Sequence, residues 1–550
     1  MEFNLAQVHE AVEQAVPERE CIVFRDLRLS YSQVGDRTRR LANALLDRGL
    51  GKVLDRSTLA RHETGQDQLA VYLHNGHEYL ESMLGAYKAR VAPFNVNYRY
   101  VAEELQYLLD DSQARAIVYH SEFAPTLDAI RSELPELAVL IQVRDASRND
   151  LIAGAEWYED VIAEASAELP DGLAESWSPD DLYILYTGGT TGMPKGVLWR
   201  QADIFVGALG GRRLDTGEEW DSLDQITEQA RSGGMKLLPS APFMHGAAHW
   251  MAFNAFANAN SVYISGATDH LDPDDVLHLI QTEGIHFLLI VGDAFGRPIV
   301  QAIEASNYQL DSLLITVSGG ASLSPGIKDR LLAAVPTMMI LDGLGASETG
   351  QQASQLSVAG QPSRTGTFAP GSGMCVLAED FSELLPAGHE GIGWVAQAGR
   401  VPLGYLGDEK KSALTFPTLQ GLRYSVPGDR GRLLADGQVE LFGRDSATIN
   451  SGGEKIFAEE VEQALLRHRS VEDCVVASRP STLWGQEVVA IVQISQGIDA
   501  SDADILEEAA RHIARYKLPK AIVRVDQVQR SPSGKADYRW AAEVASAVQS

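Results

Sequence analysis

The chain has 550 residues, which is too long for one ordinary core, so at least two domains are expected. Its formal charge of −29 excludes a nucleic-acid backbone as the main partner, because phosphate-backbone binding needs a net basic face. The 45% hydrophobic and 22% charged fractions are ordinary for a globular protein and supply material for large cores. The three cysteines, Cys21, Cys375 and Cys474, form neither a CxxC pair nor a metal-ligand spacing, which fits a reducing compartment. Residues 1–17 show no apolar leader segment, and no run approaches the roughly 20 apolar residues of a membrane helix, so a cytoplasmic location is expected.

In chain order, residues 21–24 and 27–31 read as a β-hairpin around the turn-prone Asp26. Ser30 and Gln33 have the spacing of a capping box, and Gly49 follows the helical stretch as a stop signal. Apolar segments at 69–73, 116–119 and 138–143 alternate with helical patterns, which predicts an α/β architecture with central sheets. Residues 211–235 are polar and contain glycines, so a surface insertion or mobile loop is expected there.

From about residue 447 the pattern predicts a smaller α+β unit of common domain size. It holds a helix over 458–468 with Val461, Ala464 and Leu465 on one face, and strands over 474–478 and 487–494. A helix over 503–515 and a strand over 521–525 follow. The division is then a large N-terminal domain of sheets and helices over 1–443, a joint at 444–446, and the C-terminal unit over 447–550.

The sharpest chemical signal is residues 186–196, YTGGTTGMPKG, after the β-like run Leu182 to Leu185. Gly188, Gly189 and Gly192 let backbone amides approach an anion closely. Thr187, Thr190 and Thr191 add hydroxyl donors, and Lys195 adds a point charge for phosphate oxygens. A Walker-type loop needs Gly-Lys-Ser/Thr opening a helix, but here Pro194 precedes Lys195, Gly196 follows it, and Val197 to Trp199 look extended.

This segment resembles the phosphate loop of the adenylate-forming superfamily: acyl-CoA synthetases, adenylation domains of peptide synthetases, and firefly-type luciferases. Further motifs stand in that family's order over nearly the whole chain. In LDGLGASETG (341–350) the resemblance implies that Glu348, with Thr187, holds Mg²⁺ on ATP, and that Asp342, Gly343 and Ser347 lie beside the nucleotide. Leu344 stands where the family often has an aromatic residue against adenine. Gly319, Gly320 and Ala321 in SGGAS look like the turn lining the other side of the base. Asp429 in YSVPGDRG and Arg444 in Gly-Arg-Asp match the ribose contacts. Ser446 stands at the hinge, usually an Asp or Lys, and the Gly452-Gly453 turn is expected near the coenzyme A thiol. Lys535 in RSPSGKADY matches the catalytic lysine, and His245 in APFMHGAAHW matches a residue lining the acyl pocket, with Trp250, Met251 and Phe253 suited to a pocket wall or to core.

The resemblance implies an adenylate-forming fold and a ligase that uses ATP, Mg²⁺ and coenzyme A. Stretches such as NVNYRYVAEEL (95–105) are similar to bacterial fatty-acyl and steroid-side-chain acyl-CoA synthetases, so a long, bulky or steroidal acid is favoured. The rivals are an acyl-AMP ligase loading a carrier protein, a luciferase-like oxygenase, and a nucleotide-binding regulator without turnover. A homodimer stays open as the assembly.

Overall fold

The computed structural model describes all residues except 188–192, 214, 452–453, 482–484, 496, 499, 531–534 and 548–550. Among the described residues the strands form three sheets. An eight-stranded sheet contains the neighbours Lys195–Arg200, Leu182–Thr187, Ala92–Asn95, Gln68–Tyr72 and Ala116–His120. A larger sheet begins with a parallel set that includes Phe287–Ile290, Ile315–Gly319 and Met339–Ala346, then turns antiparallel through Gly350–Val358. Its far part carries Asp429–Leu433 and Val439–Arg444, paired so that Asp429 faces Arg444. One hydrophobic core draws on both of these sheets and the helices beside them, with Tyr31, Trp199 and Tyr263 fully buried. Parallel strands covered on both faces need apolar side chains throughout, which is why Gln68–Tyr72 and Ala116–His120 are buried at every position.

The expected hairpin is present, with Glu20–Phe24 antiparallel to Leu27–Ser30. The capping box opens helix Tyr31–Asp47: the Ser30 amide donates to Gln33 Oε1 at 2.8 Å, and the Gln33 amide donates to Ser30 Oγ at 3.3 Å. Gly49 then takes φ +80°, a left-handed turn that suits glycine.

Residues 211–235 depart from the expectation of a mobile loop. They hold helix Leu223–Arg231, N-capped by Ser222, with Ile226 and Ala230 buried. Trp220 is buried as well, and its Nε1 donates to the Gly210 carbonyl at 2.9 Å. Apolar residues at 220, 223, 226 and 230 give the helical spacing that the polar composition hid.

The C-terminal sheet begins at Thr448–Ser451, three residues after the larger sheet's strand Val439–Arg444 ends, with only the turn Asp445–Ala447 between them. The two predicted strands there form one long hairpin, Val471–Ser481 with Gly485–Ile494. Helix Ala458–Leu465 covers one face and helix Tyr538–Ala547 the other. The helix expected over 503–515 stops at Ala509, and a short turn Arg515–Lys517 follows. Pro519 holds Leu518 extended (ψ 141°), so that turn does not lengthen into a helix past Lys517. Among the described residues no helix is long and apolar enough to cross a membrane.

Candidate active site

The two large sheets and the C-terminal unit meet at a crevice, and the sheet ends supply its floor. Strand Leu182–Thr187 runs antiparallel to Lys195–Arg200, with Thr187 opposite Lys195. The loop between them, Gly188, Gly189, Thr190, Thr191 and Gly192, lies outside the described residues. Lys195 Nζ pairs with Asp408 Oδ2 at 2.8 Å and sits 5.5 Å from the Tyr405 ring centroid. Both partners of that pair are well exposed, so it is a weak clasp that a phosphate can displace.

Glu348 is fixed by four bonds around it. Strand Met339–Ala346 ends in a turn closed by the Ala346 amide donating to Thr349 Oγ1 at 2.9 Å. Trp199 Nε1 donates to the Ser347 carbonyl at 2.8 Å, and Ser425 Oγ donates to the Glu348 carbonyl at 2.6 Å. Tyr405 donates its hydroxyl to Glu348 Oε1 at 2.8 Å. A carboxylate held in this way by its own backbone and one oxygen still has Oε2 for a hard cation. The donor type suits Mg²⁺, which takes one or two carboxylates and keeps several waters.

Gly319 and Gly343 face each other on neighbouring strands, and Gly320 turns away at φ +82°. A Cβ on Gly319 would meet only the Gly343 carbonyl oxygen, at 3.9 Å, so the strand ends form a bare backbone ledge. Leu344 is half-buried beyond it. Asp342 turns its side chain away from this ledge. It is 4% exposed, and its carboxylate binds Lys328 Nζ at 2.8 Å, while Lys328 also reaches Gln355 Oε1 and the Arg364 carbonyl. Its side chain belongs to a buried ion pair in the fold, and only its backbone is left for a nucleotide.

Asp429 and Arg444 are bonded to each other, Nε to Oδ1 at 3.2 Å. Asp429 holds the Arg444 pKa above its ordinary value, and Glu348 and Glu459 add to this. Lys535 enters from the C-terminal unit. Desolvation in the crevice, and then Arg444, push its ammonium below the ordinary lysine value, while Glu348 and Asp429 pull the other way. Lys535 keeps solvent exposure. Burial holds His245 down to about 3, and Lys535 and Arg99 contribute to that shift. Lys535, Glu348, Asp429, Arg444 and His245 therefore share one electrostatic neighbourhood.

His245 occupies the N-cap of helix Gly246–Ala257 without a side-chain cap bond, and its Nε2 is buried without a partner. Behind it lies a chain that the sequence did not signal. His249 Nδ1 is 2.7 Å from the Phe243 carbonyl, which can only accept, so Nδ1 carries the proton. Nε2 then accepts from the Tyr183 hydroxyl, whose oxygen accepts from Trp250 Nε1 at 2.7 Å. Phe253 packs on Tyr87 and Phe256 and is core. Tyr405 and Asp408 also escaped sequence reading, since a lone Tyr and Asp in PLGYLGD carry no spacing signal. Ser446 lies in the Asp445–Ala447 turn, and Gly452 and Gly453 fall outside the described residues.

The fold is the adenylate-forming one. A crystal structure of the anthranilate CoA ligase AuaEII with anthranoyl-AMP superposes with a TM-score of 0.79 at 20% identity, covering 99% of this chain and 98% of that one. A Mycobacterium tuberculosis fatty acyl CoA synthetase gives 0.68 at 21% identity, covering 99% of this chain and 98% of that one. The chain belongs to the AMP-binding enzyme family, whose model matches residues 8–406, and the AMP-binding enzyme C-terminal domain matches 460–535. Among its relatives, the medium-chain acyl-CoA ligase Mig of Mycobacterium avium is 52% identical over 544 residues, covering 99% of this chain and 98% of that protein. A 3-oxocholest-4-en-26-oate–CoA ligase of Rhodococcus rhodochrous is 36% identical over 551 residues, covering 98% of this chain and 96% of that protein.

Proposed function

We propose that this protein is an ATP-dependent acyl-CoA synthetase that activates a medium- to long-chain hydrophobic acid through acyl-AMP and passes the acyl group to coenzyme A. The observation that carries the reading is Lys535 of the C-terminal unit sharing the crevice with Glu348, Asp429, Arg444 and His245. A carboxylate is a poor acylating agent because its oxygen leaves badly. Attack of the acid's carboxylate on the α-phosphate of ATP makes a mixed anhydride and expels pyrophosphate. The coenzyme A thiol then attacks the acyl carbon and AMP leaves.

The residues divide this work. Lys535 bridges the reacting carboxylate and α-phosphate as charge builds. Lys195 exchanges Asp408 for pyrophosphate oxygens, with Thr187 and the 188–192 loop beside it. Asp429, already aligned by Arg444, accepts the ribose hydroxyls. Gly319, Gly320, Ala321 and Gly343 flank the base, and Ser347 fixes the turn that presents Glu348. Glu348 and Thr187 would hold Mg²⁺, and the bound ion would supply positive charge beside the ATP phosphates. His245 borders the acyl carbon, and Gly452 and Gly453 line the approach of the thiol. The unit over 447–550 rotates on 444–446, near Ser446, between the two steps. An enzyme consuming ATP and coenzyme A fits a cytoplasmic location.

Pyrophosphate release across short, medium, long, aromatic and steroidal acids, with and without coenzyme A, tests the reading. Release with medium or long acids, and thioester only when coenzyme A is present, is expected. Release that ignores coenzyme A while acyl-AMP accumulates would point to a carrier-protein acceptor. No release with any acid would end the proposal.

A further inference from the structure

A cavity of about 990 Å³ lies between helix Gln201–Ala208, strand Gly350–Val358 and residues 397–403, and it contains neither Lys535 nor Asp429. Its volume is that of a small-molecule site. In a chain with 75 acidic and 46 basic residues, its wall holds Arg61, Arg200, Arg212, Arg213, Arg400 and Arg423 beside the carboxylates of Asp203 and Glu219; Arg212 pairs with Glu219 and Arg213 with Asp215. Arg200 and Arg400 are neutralised, since each pairs with Glu2 and Asp203, and Arg400 also with Glu219. Arg61 and Arg423 have no carboxylate partner among the described residues. Arg423 spends its terminal nitrogens on the Pro402 and Leu403 carbonyls, and its Nε is buried without an acceptor.

The deeper wall is unsatisfied in both senses. Gln352 is 1% exposed, and neither its amide nitrogen nor its oxygen has a partner. Gln397 is 6% exposed; its nitrogen donates to the Ser372 carbonyl at 2.9 Å, which leaves Oε1 without a donor. A buried polar group left without a hydrogen bond is costly, so a purely hydrocarbon occupant is disfavoured here. An occupant with an oxygen that can both donate and accept satisfies these groups.

The cavity also stands in register with the reacting centre. Helix Gly246–Ala257 starts directly after His245, and Asn254 of the same helix lines the cavity. Nine residues of helix span roughly 13 Å, comparable to an extended medium-length acyl chain. Thr349, directly after Glu348, lines the cavity from the strand side.

We propose that this cavity receives the far end of the substrate acid and selects acids oxygenated there, as a hydroxyl or a second carboxyl. The inference rests on the acyl-CoA synthetase reading and names its substrate class. Gln352 supplies both a donor and an acceptor to the distal oxygen, Gln397 Oε1 accepts from a hydroxyl, and Arg61 faces a carboxylate.

The test is thioester formation from decanoate, ω-hydroxydecanoate and decanedioate by the wild type, Gln352→Leu and Arg61→Gln. Leucine fills nearly the same volume and removes only an unpartnered amide, so folding should be preserved. The wild type is expected to use at least one oxygenated acid as well as decanoate or better. Gln352→Leu should lower kcat/KM for that acid by about tenfold or more while leaving decanoate within about twofold. A loss confined to decanedioate in Arg61→Gln assigns the carboxylate arm to Arg61. Decanoate strongly preferred by the wild type, with ratios unchanged in both variants, overturns the inference. If no acid gives thioester, the synthetase reading fails separately. The cavity is then judged by thermal shift: decanedioate or ω-hydroxydecanoate should raise Tm in the wild type and not in Gln352→Leu, and no shift in either protein overturns it.

Discussion

Lys328 and Asp342 show how a residue inside a ligand motif can spend its side chain on the fold. Asp342 stands in the glycine-rich run that ends at Glu348, so it reads as a nucleotide contact. Along a strand, however, successive side chains point to opposite faces. Gly343 and Asp342 therefore cannot both face the crevice, and Asp342 faces Lys328 in the interior. Lys328 is 0% exposed, and its three bonds, to Asp342 Oδ2, Gln355 Oε1 and the Arg364 carbonyl, use the full capacity of an ammonium. Removing it strands a carboxyl whose pKa burial already raises. Lys328→Met is expected to destabilise the large domain by about 3–5 kcal/mol, read as a lower urea midpoint. Adding Asp342→Leu should recover much of that loss, because the uncompensated charge is gone. A single variant as stable as wild type would show that the pair contributes nothing.

At the scale of elements, the hairpin, the capped helix Tyr31–Asp47 and the strands flanking the phosphate loop were legible because each carries a local signal. Helix Leu223–Arg231 and the end of helix Asp502–Ala509 were not. The first hid its apolar spacing under polar residues, and the second ends at Ala509 with no local stop signal in the sequence. Helix Ala458–Leu465 carries a consequence that spacing could not show. Its Glu459 packs against Gly443, where an added Cβ would meet the carboxylate at 3.0 Å. Burial, and then Asp429, push Glu459 up to about 7, and Arg444 opposes them. A raised carboxyl pKa means that the packed state prefers neutral Glu459. That contribution is complete below the ordinary glutamate value and is lost as pH rises through 7. Packing of this helix on the joint should thus loosen progressively from the ordinary glutamate range up to about pH 7 and level off above it. Glu459→Gln, neutral throughout, should flatten that dependence. Hydrogen exchange at Gly443 and Arg444 across this range checks it, and identical pH profiles in both proteins would refute it. Glu462, pushed up to about 8 by burial, bonds the Val476 amide at 2.8 Å within the same unit, so its titration affects the unit's own stability instead.

For the whole molecule, the crevice is completed by residues from two units. Arg297 of the large domain donates to the Glu472 carbonyl, and Phe442 stacks near Phe457 across the joint at 5.7 Å. Such a contact is small enough to break and reform during a catalytic cycle. Motif order along the chain made the ligand-facing residues readable, since each motif is local. It could not reveal the partners that hold them between uses, namely Asp408 on Lys195, Tyr405 on Glu348 and Arg444 on Asp429, because those pairs are set by tertiary packing. The arrangement in which Lys535 feels Glu348 and Asp429 suits formation of the adenylate. On the proposed mechanism, attack by the thiol needs no cation at the α-phosphate. Lys535→Ala should therefore lower pyrophosphate release by about 10²–10³ or more, the cost of one lost electrostatic contact at a transition state. The same variant, given acyl-AMP and coenzyme A, should form thioester at close to the wild-type rate. Two half-reactions that fall together would mean that Lys535 organises the crevice as a whole, and the rotation of 447–550 would lose its chemical purpose.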